Sequence, residues 1–177
     1  MKWFSKKKQK ITIDQLTDGM LYLIEPSKIQ KLAIEDELIP KSTIGDSKLT
    51  ELIIVRTFIM SKLVQMIFEN QVGTKILDVF YKKLFSSFEK NNGGDWTSVF
   101  AKLLNARHIE YFEKTKLIDL GDESGMFTVS KAITDNVLGN GTLDVRIIHN
   151  FTIFYLSHYK CEGDMFEKYK SDFDIIE

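Results

Sequence analysis

Lys75-Ile-Leu-Asp-Val-Phe-Tyr-Lys-Lys-Leu-Phe-Ser-Ser-Phe-Glu-Lys90 decides the fold class. Turned through roughly 100° per residue, Ile76, Leu77, Phe80, Tyr81, Leu84, Phe85 and Phe88 gather on one side, with Lys82, Lys83, Glu89 and Lys90 on the other. A strand would alternate every second residue, so this spacing predicts an amphipathic helix with one face in a core.

Punctuation to either side predicts more helices of the same kind. Asn91-Asn-Gly-Gly94 ends the first, and Asp95 caps another running towards Asp119. After a turn at 121–123, Ser124 starts a helix that reaches Leu138, where Gly139-Asn-Gly141 stops it. Thr142 caps a further helix to about Tyr159, and Asp164 with Glu167 repeats a capping box for a short last one. Upstream, Ser47 caps a helix to about Asn70, and Gly73 opens the stretch quoted above. The first quarter is more broken. Thr12-Ile-Asp-Gln15 fits a capping box for a short helix ending at Gly19, and residues 20–24 read as either a strand or a helical turn. A second short helix from Ser27 must stop before Pro40, and 41–46 reads as a loop.

The expectation is an all-α fold, a compact and mostly antiparallel bundle of about six main helices with short N-terminal helices packed on its side. One domain spans 11–177, its smaller part 11–46 and its main bundle 47–177, preceded by a flexible basic arm, 1–10. At 177 residues such a domain buries roughly 70% of its unfolded surface, so no disulfide or metal is needed. Phe58, Phe80, Phe85, Phe100, Phe151 and Phe154 are the expected aromatic core.

Charge bounds the partners. With 24 basic against 25 acidic residues, a general polyanion binder is disfavoured, and nucleic acid is not an expected partner. The lone Cys161 and the polar break at Asp14, Gln15, Asp18 and Gly19 predict a reducing compartment, the cytoplasm, without a secretory leader. The most apolar window, 49–68, contains Arg56, Ser61, Lys62 and Gln65, and charges at a membrane helix centre cost about 2.5–3.5 kcal/mol each. A buried core helix is the expectation there.

Departures from this pattern supply the candidate site. Arg56 projects onto the apolar face among Leu52, Ile53, Ile59, Met60, Leu63 and Ile67, while Glu51, Lys62, Gln65 and Glu69 form the solvent arc. A guanidinium on that face requires a carboxylate, a carbonyl or a bound anion, and Asp144 is one carboxylate whose facing suits it. In the helix at 95–119 the face of Trp96, Val99, Phe100, Leu103 and Leu104 continues into Arg107, Glu110, Tyr111 and Lys114. This predicts either a kink near Asn105 or a polar pocket. His158-x-x-Cys161 places a thiol one turn from an imidazole, a pattern that chance at a helix end explains better than catalysis. There is no Walker A, GxGxxG, GxSxG or HExxH sequence, and none of His108, His149 and His158 follows a Glu by three residues.

Three functional expectations follow. The first is a non-enzymatic, intracellular protein–protein interaction protein, a bacterial-type accessory, adaptor or immunity factor without cofactor or metal. Its partner is another protein, a second copy of the chain in a homodimer included. The second is a small-molecule or anion-binding protein, or an enzyme, whose ligand-binding residues are Arg56, Arg107, Glu110 and Tyr111. The third is weak attachment to a membrane or partner surface through Trp3, Phe4, Lys6, Lys7 and Lys8, at about 1 kcal/mol per lysine near anionic lipid.

Overall fold

The computed structural model of the protein describes residues 8–39, 45–119, 124–139, 141 and 144–176. In chain order these form β1 (Gln9–Thr12), α1 (Ile13–Leu23), α2 (Pro26–Glu35), α3 (Asp46–Ile67), α4 (Asn70–Asn92), α5 (Gly94–Asp119), α6 (Ser124–Leu138), α7 (Val145–Asp172) and β2 (Phe173–Ile176). The protein is an all-α bundle.

Its axis is α3. Leu52, Ile54, Val55, Ile59, Met60 and Val64 lie at different angles around this helix and all are fully buried, so it needs neighbours on every side. They are α4, α5, α6 and α7, with α2 against the same helix and α1 laid over α4. The solvent arc expected on α3 is therefore mostly covered: Gln65 and Glu69 are exposed, but Glu51 and Lys62 are buried. No helix among the described residues is long and apolar enough to cross a membrane.

The face read from 75–90 is in place, with Ile76, Leu77, Phe80 and Leu84 buried and Tyr81, Phe85 and Phe88 packed at its margin. Of the six expected core phenylalanines five are buried, and Phe85 sits half-buried against the cluster. Between α4 and α5, Gly93 takes φ +84°, a conformation that glycine adopts without steric cost. The α5–α6 packing needs another glycine. A Cβ on Gly125 would stand 2.7 Å from the Ile118 backbone nitrogen, inside contact distance.

Several boundaries differ from expectation. The capping box forms as read, Thr12 Oγ1 accepting from the Gln15 N–H while the Gln15 side chain accepts from the Thr12 N–H. Yet α1 continues through Gly19 to Leu23, because Leu16 and Met20 bury one continuous stripe. The helix α5 is unbroken from Gly94 to Asp119, through Asn105. Its inner face is Phe100, Leu104, Tyr111 and Thr115, whereas Trp96 and Val99 are exposed. Likewise α7 does not stop at Tyr159, since Glu162 and Phe166 carry the buried face of Phe151, Phe154 and Tyr155 onward. It starts at the N-cap Asp144, whose carboxylate accepts from the Arg146 N–H and pairs with the Arg146 guanidinium. Asp144 is thus not the partner of Arg56.

The two strands were not expected. They pair in parallel, Gln9 with Phe173 and Ile11 with Ile175, so Gln9 and Lys10 already belong to the fold. Four residues each is too short for alternation to register above the helical pattern.

Candidate functional site

Arg56 lies in the core with its charge already taken. Its Nε donates to Glu162 Oε1 at 3.0 Å, Nη2 reaches the same oxygen, and Nη1 donates to the Leu23 carbonyl at 2.7 Å. The pair ties α3 to α7 and to the end of α1. His158, one turn before Glu162, has its Nδ1 at 3.6 Å from Oε1, and burial followed by the Arg56 charge lowers its pKa to about 4. Burial raises the Glu162 carboxyl while Arg56 pulls it down, and Oε2 has no partner among the described residues.

The other three expected ligand residues come together elsewhere, between α3, α5 and α6. Arg107 Nε and Nη2 grip Glu51 in a fork, at 3.0 Å to Oε2 and 2.9 Å to Oε1, and Nη1 reaches Glu110 at 3.3 Å. Asn136 from α6 donates to Glu110 at 3.0 Å and to the Tyr111 hydroxyl at 3.1 Å. The bonds to Glu51 hold the Arg107 pKa up, and burial pushes the Tyr111 phenol well above its ordinary value. Arg107, Glu110 and Tyr111 thus converge without Arg56, and the guanidinium is met by carboxylates of the chain itself. Glu51 and Asn136 complete the cluster. Facing alone placed Glu51 in solvent, and only the fold brings Asn136 near. Lys114 is half-buried further along α5.

Phe58 links this cluster to a second polar line, its ring edge meeting both Tyr111 at 5.5 Å and His108 at 5.6 Å. That line runs from Thr57 through Ser61 and Tyr81 to His108. Ser61 spends its only proton on the Thr57 carbonyl, at 2.7 Å. Its oxygen also shares a 2.6 Å hydrogen bond with the Tyr81 hydroxyl. The same hydroxyl stands 3.4 Å from His108 Nδ1. His108 Nε2 is buried and without a partner among the described residues. Such an atom costs about 1–3 kcal/mol. Burial also lowers the His108 pKa to about 4 and raises that of Tyr81, so both are neutral near pH 7.

This line forms the wall of a groove. A hollow of about 340 Å³ between α3, α4 and α5 is lined by Ser61, Tyr81 and His108 with Phe58, Ile109 and Phe112. A second, of about 460 Å³, follows it along α3 and α4 past Phe68 and Asn70, sharing Gln65, Leu77 and Tyr81. Two large apolar residues stand open at the rim, Ile109 at 59% and Phe112 at 47% exposure. They lie off the buried face of α5 and border the groove.

As for the rest, no group of three or more His, Cys, Asp or Glu side chains among the described residues is placed to hold a metal ion. Cys161 is exposed. Trp3, Phe4, Lys6 and Lys7 lie outside the described residues; Lys8 is exposed and its Nζ donates to the Lys170 carbonyl at 2.9 Å.

Fold and groove together define an all-helical bundle with an elongated cleft lined by apolar and polar side chains between α3, α4 and α5. The chain matches no family model, no curated protein and no solved structure.

Proposed function

We propose that this protein is a non-enzymatic, cytoplasmic accessory or adaptor protein that receives an apolar segment of another protein in the α3–α4–α5 groove. The observation that carries the reading is the rim, where Ile109 and Phe112 leave large apolar area open above a groove long enough for several residues of a partner chain. A compact small molecule would be served by one enclosed hollow rather than two in sequence.

The chemistry of the wall supports binding over catalysis. Ser61 gives its proton to a helix carbonyl, and Tyr81 stands between it and His108, so the serine has no base beside it among these residues to activate it. An anion site at Arg107 is less favoured, because Glu51 and Glu110 already neutralise that charge.

The test is a photo-crosslinking amino acid placed at Glu113, on the groove, and separately at Lys168, an exposed position on α7. In cells expressing the chain, the groove position is expected to yield one discrete protein adduct, which disappears in an Ile109→Glu/Phe112→Glu variant of unchanged helical content. Identical adduct patterns from both positions would count decisively against the reading.

A further inference from the structure

Tyr159 donates its hydroxyl proton to a sulfur. Its oxygen stands 2.9 Å from Met66 Sδ, so this bond joins the end of α3 to α7. The phenol ring is held for the contact by Tyr155, one turn earlier, with ring centroids at 5.9 Å and planes within 24° of parallel. Further along α7, Lys170 donates to the Ile67 carbonyl at 2.6 Å, so the neighbouring residue of α3 is tied to the same helix.

The sulfur at this contact is open to solvent. Met66 is 62% exposed, whereas Met20 and Met60 are fully buried and Met126 and Met165 pack partly covered against the core. Among the described residues it is the methionine that a dissolved oxidant reaches without unfolding the chain. Oxidation makes the side chain polar, and where a methionine fills an apolar core this disrupts packing. At Met66 little packing is at stake, and a donor is in place. A thioether is a weak acceptor, while the oxygen of a sulfoxide carries partial negative charge and accepts strongly. An exposed side chain is free to turn about its Cγ–Sδ bond and present that oxygen to Tyr159.

We infer that Met66 is a site of oxidation by hydroperoxides, and that Tyr159 converts its sulfoxide into a tighter latch between α3 and α7. A sulfur lone pair attacks one oxygen of hydrogen peroxide, and the S–O bond forms as the O–O bond breaks. Sulfur gives up the two electrons that the peroxide takes, and the departing oxygen leaves as water after proton transfer. The Tyr159 hydroxyl engages one of the two lone pairs of sulfur, which makes its two faces unequal. One sulfoxide epimer therefore forms in excess.

The test treats the whole chain with hydrogen peroxide and maps oxidation by peptide mass spectrometry. Met66 should be oxidised about tenfold faster than Met20 or Met60. Of the two epimer-specific sulfoxide reductases, one should reverse most of the product. Amide hydrogen exchange around Tyr159 should then be about fivefold slower than in the untreated chain. In a Tyr159→Phe variant Met66 should be oxidised to both epimers equally, with no slowing of exchange. Cys161, exposed on the same helix, also reacts with peroxide, and a Met66→Leu variant that keeps it subtracts its effect. Three results overturn the inference: oxidation of Met66 no faster than that of Met20, equal epimers in the native chain, or exchange around Tyr159 that is unchanged or faster once Met66 is oxidised.

Discussion

Arg56 and Glu162 are 106 residues apart in the chain and meet inside the core, the Nε–Nη2 edge of the guanidinium closing on one carboxylate oxygen while the other oxygen has no partner among the described residues. A buried pair of this kind balances Coulomb attraction against the desolvation of two charges, and its value emerges when one partner is removed alone. Glu162→Ala should lower unfolding free energy by about 3–5 kcal/mol in urea titrations, because Arg56 is then left buried with only the Leu23 carbonyl. Replacing both partners by methionine should recover most of that loss. A double variant no more stable than Glu162→Ala would mean that the pair is favourable beyond its desolvation cost.

The two half-buried imidazoles, His108 and His158, give the fold an acid-sensitive side. His108 and His158 titrate near 4 in the folded chain against about 6.5 when unfolded, so between these values the unfolded chain binds the protons. Stability rises with pH wherever the unfolded state binds more protons. It is accordingly complete above pH 6.5 and is lost as pH falls towards 4, by on the order of 3 kcal/mol per histidine. Glu162 works in the opposite direction, since a carboxyl raised by burial favours the folded state as it protonates. Urea midpoints measured between pH 7 and pH 5 should therefore fall in the native chain and fall much less in a His108→Phe/His158→Phe variant. Equal slopes in the two proteins would remove the imidazoles as the cause.

The fork between Arg107 and Glu51 is a cross-helix contact that the sequence spacing conceals. Arg107 and Glu110, three residues apart on α5, are legible as a pair, but Glu51 approaches from α3 at the shorter distance. A double-mutant cycle over Glu51→Ala and Arg107→Ala should give a coupling of roughly 1–2 kcal/mol, with a smaller value for Glu110→Ala and Arg107→Ala. The order reversed would place the energy along α5 rather than across the helices.

That contrast marks what the sequence made legible. The 3.6-residue rhythm found the helices, because each buries a stripe whose period is local, and Ile76 to Phe88 on α4 is the clearest instance. The same logic misread α3. Along most of its length this helix is packed on every side, so the facing of Glu51 and Lys62 predicted exposure where the surrounding helices bury them, and only Gln65 near its end stays open as read. Capping signals were read correctly at Thr12 but over-read at Asp164, where the buried Glu162 and Phe166 hold α7 together across a stop that local propensity alone suggests. Arg107, Glu110 and Tyr111 were recoverable from one helix face. Tyr81, Ser61 and His108 were not, since they come from three helices and only their packing makes them a line.

Two glycines inside helices offer a paired test of packing against propensity. Gly19 lies within α1 with nothing inside 4 Å of an added Cβ, so Gly19→Ala should stabilise the protein by about 0.5–1 kcal/mol, the ordinary helix-propensity gain. Gly125 lies in α6 against the α5 backbone, where a Cβ would meet the Ile118 nitrogen at 2.7 Å and its Cγ1 at 2.9 Å. Backbone cannot rotate aside as a side chain can, so Gly125→Ala has to push α6 away from α5 and should cost about 1–3 kcal/mol despite the same propensity gain. Thermal unfolding of the two variants beside the native chain reads the difference directly. Because Asn136, on the same helix as Gly125, bonds Glu110 and Tyr111, the displaced helix should also weaken the Arg107 cluster. A Gly125→Ala protein as stable as Gly19→Ala would show that α5 and α6 are not held this closely.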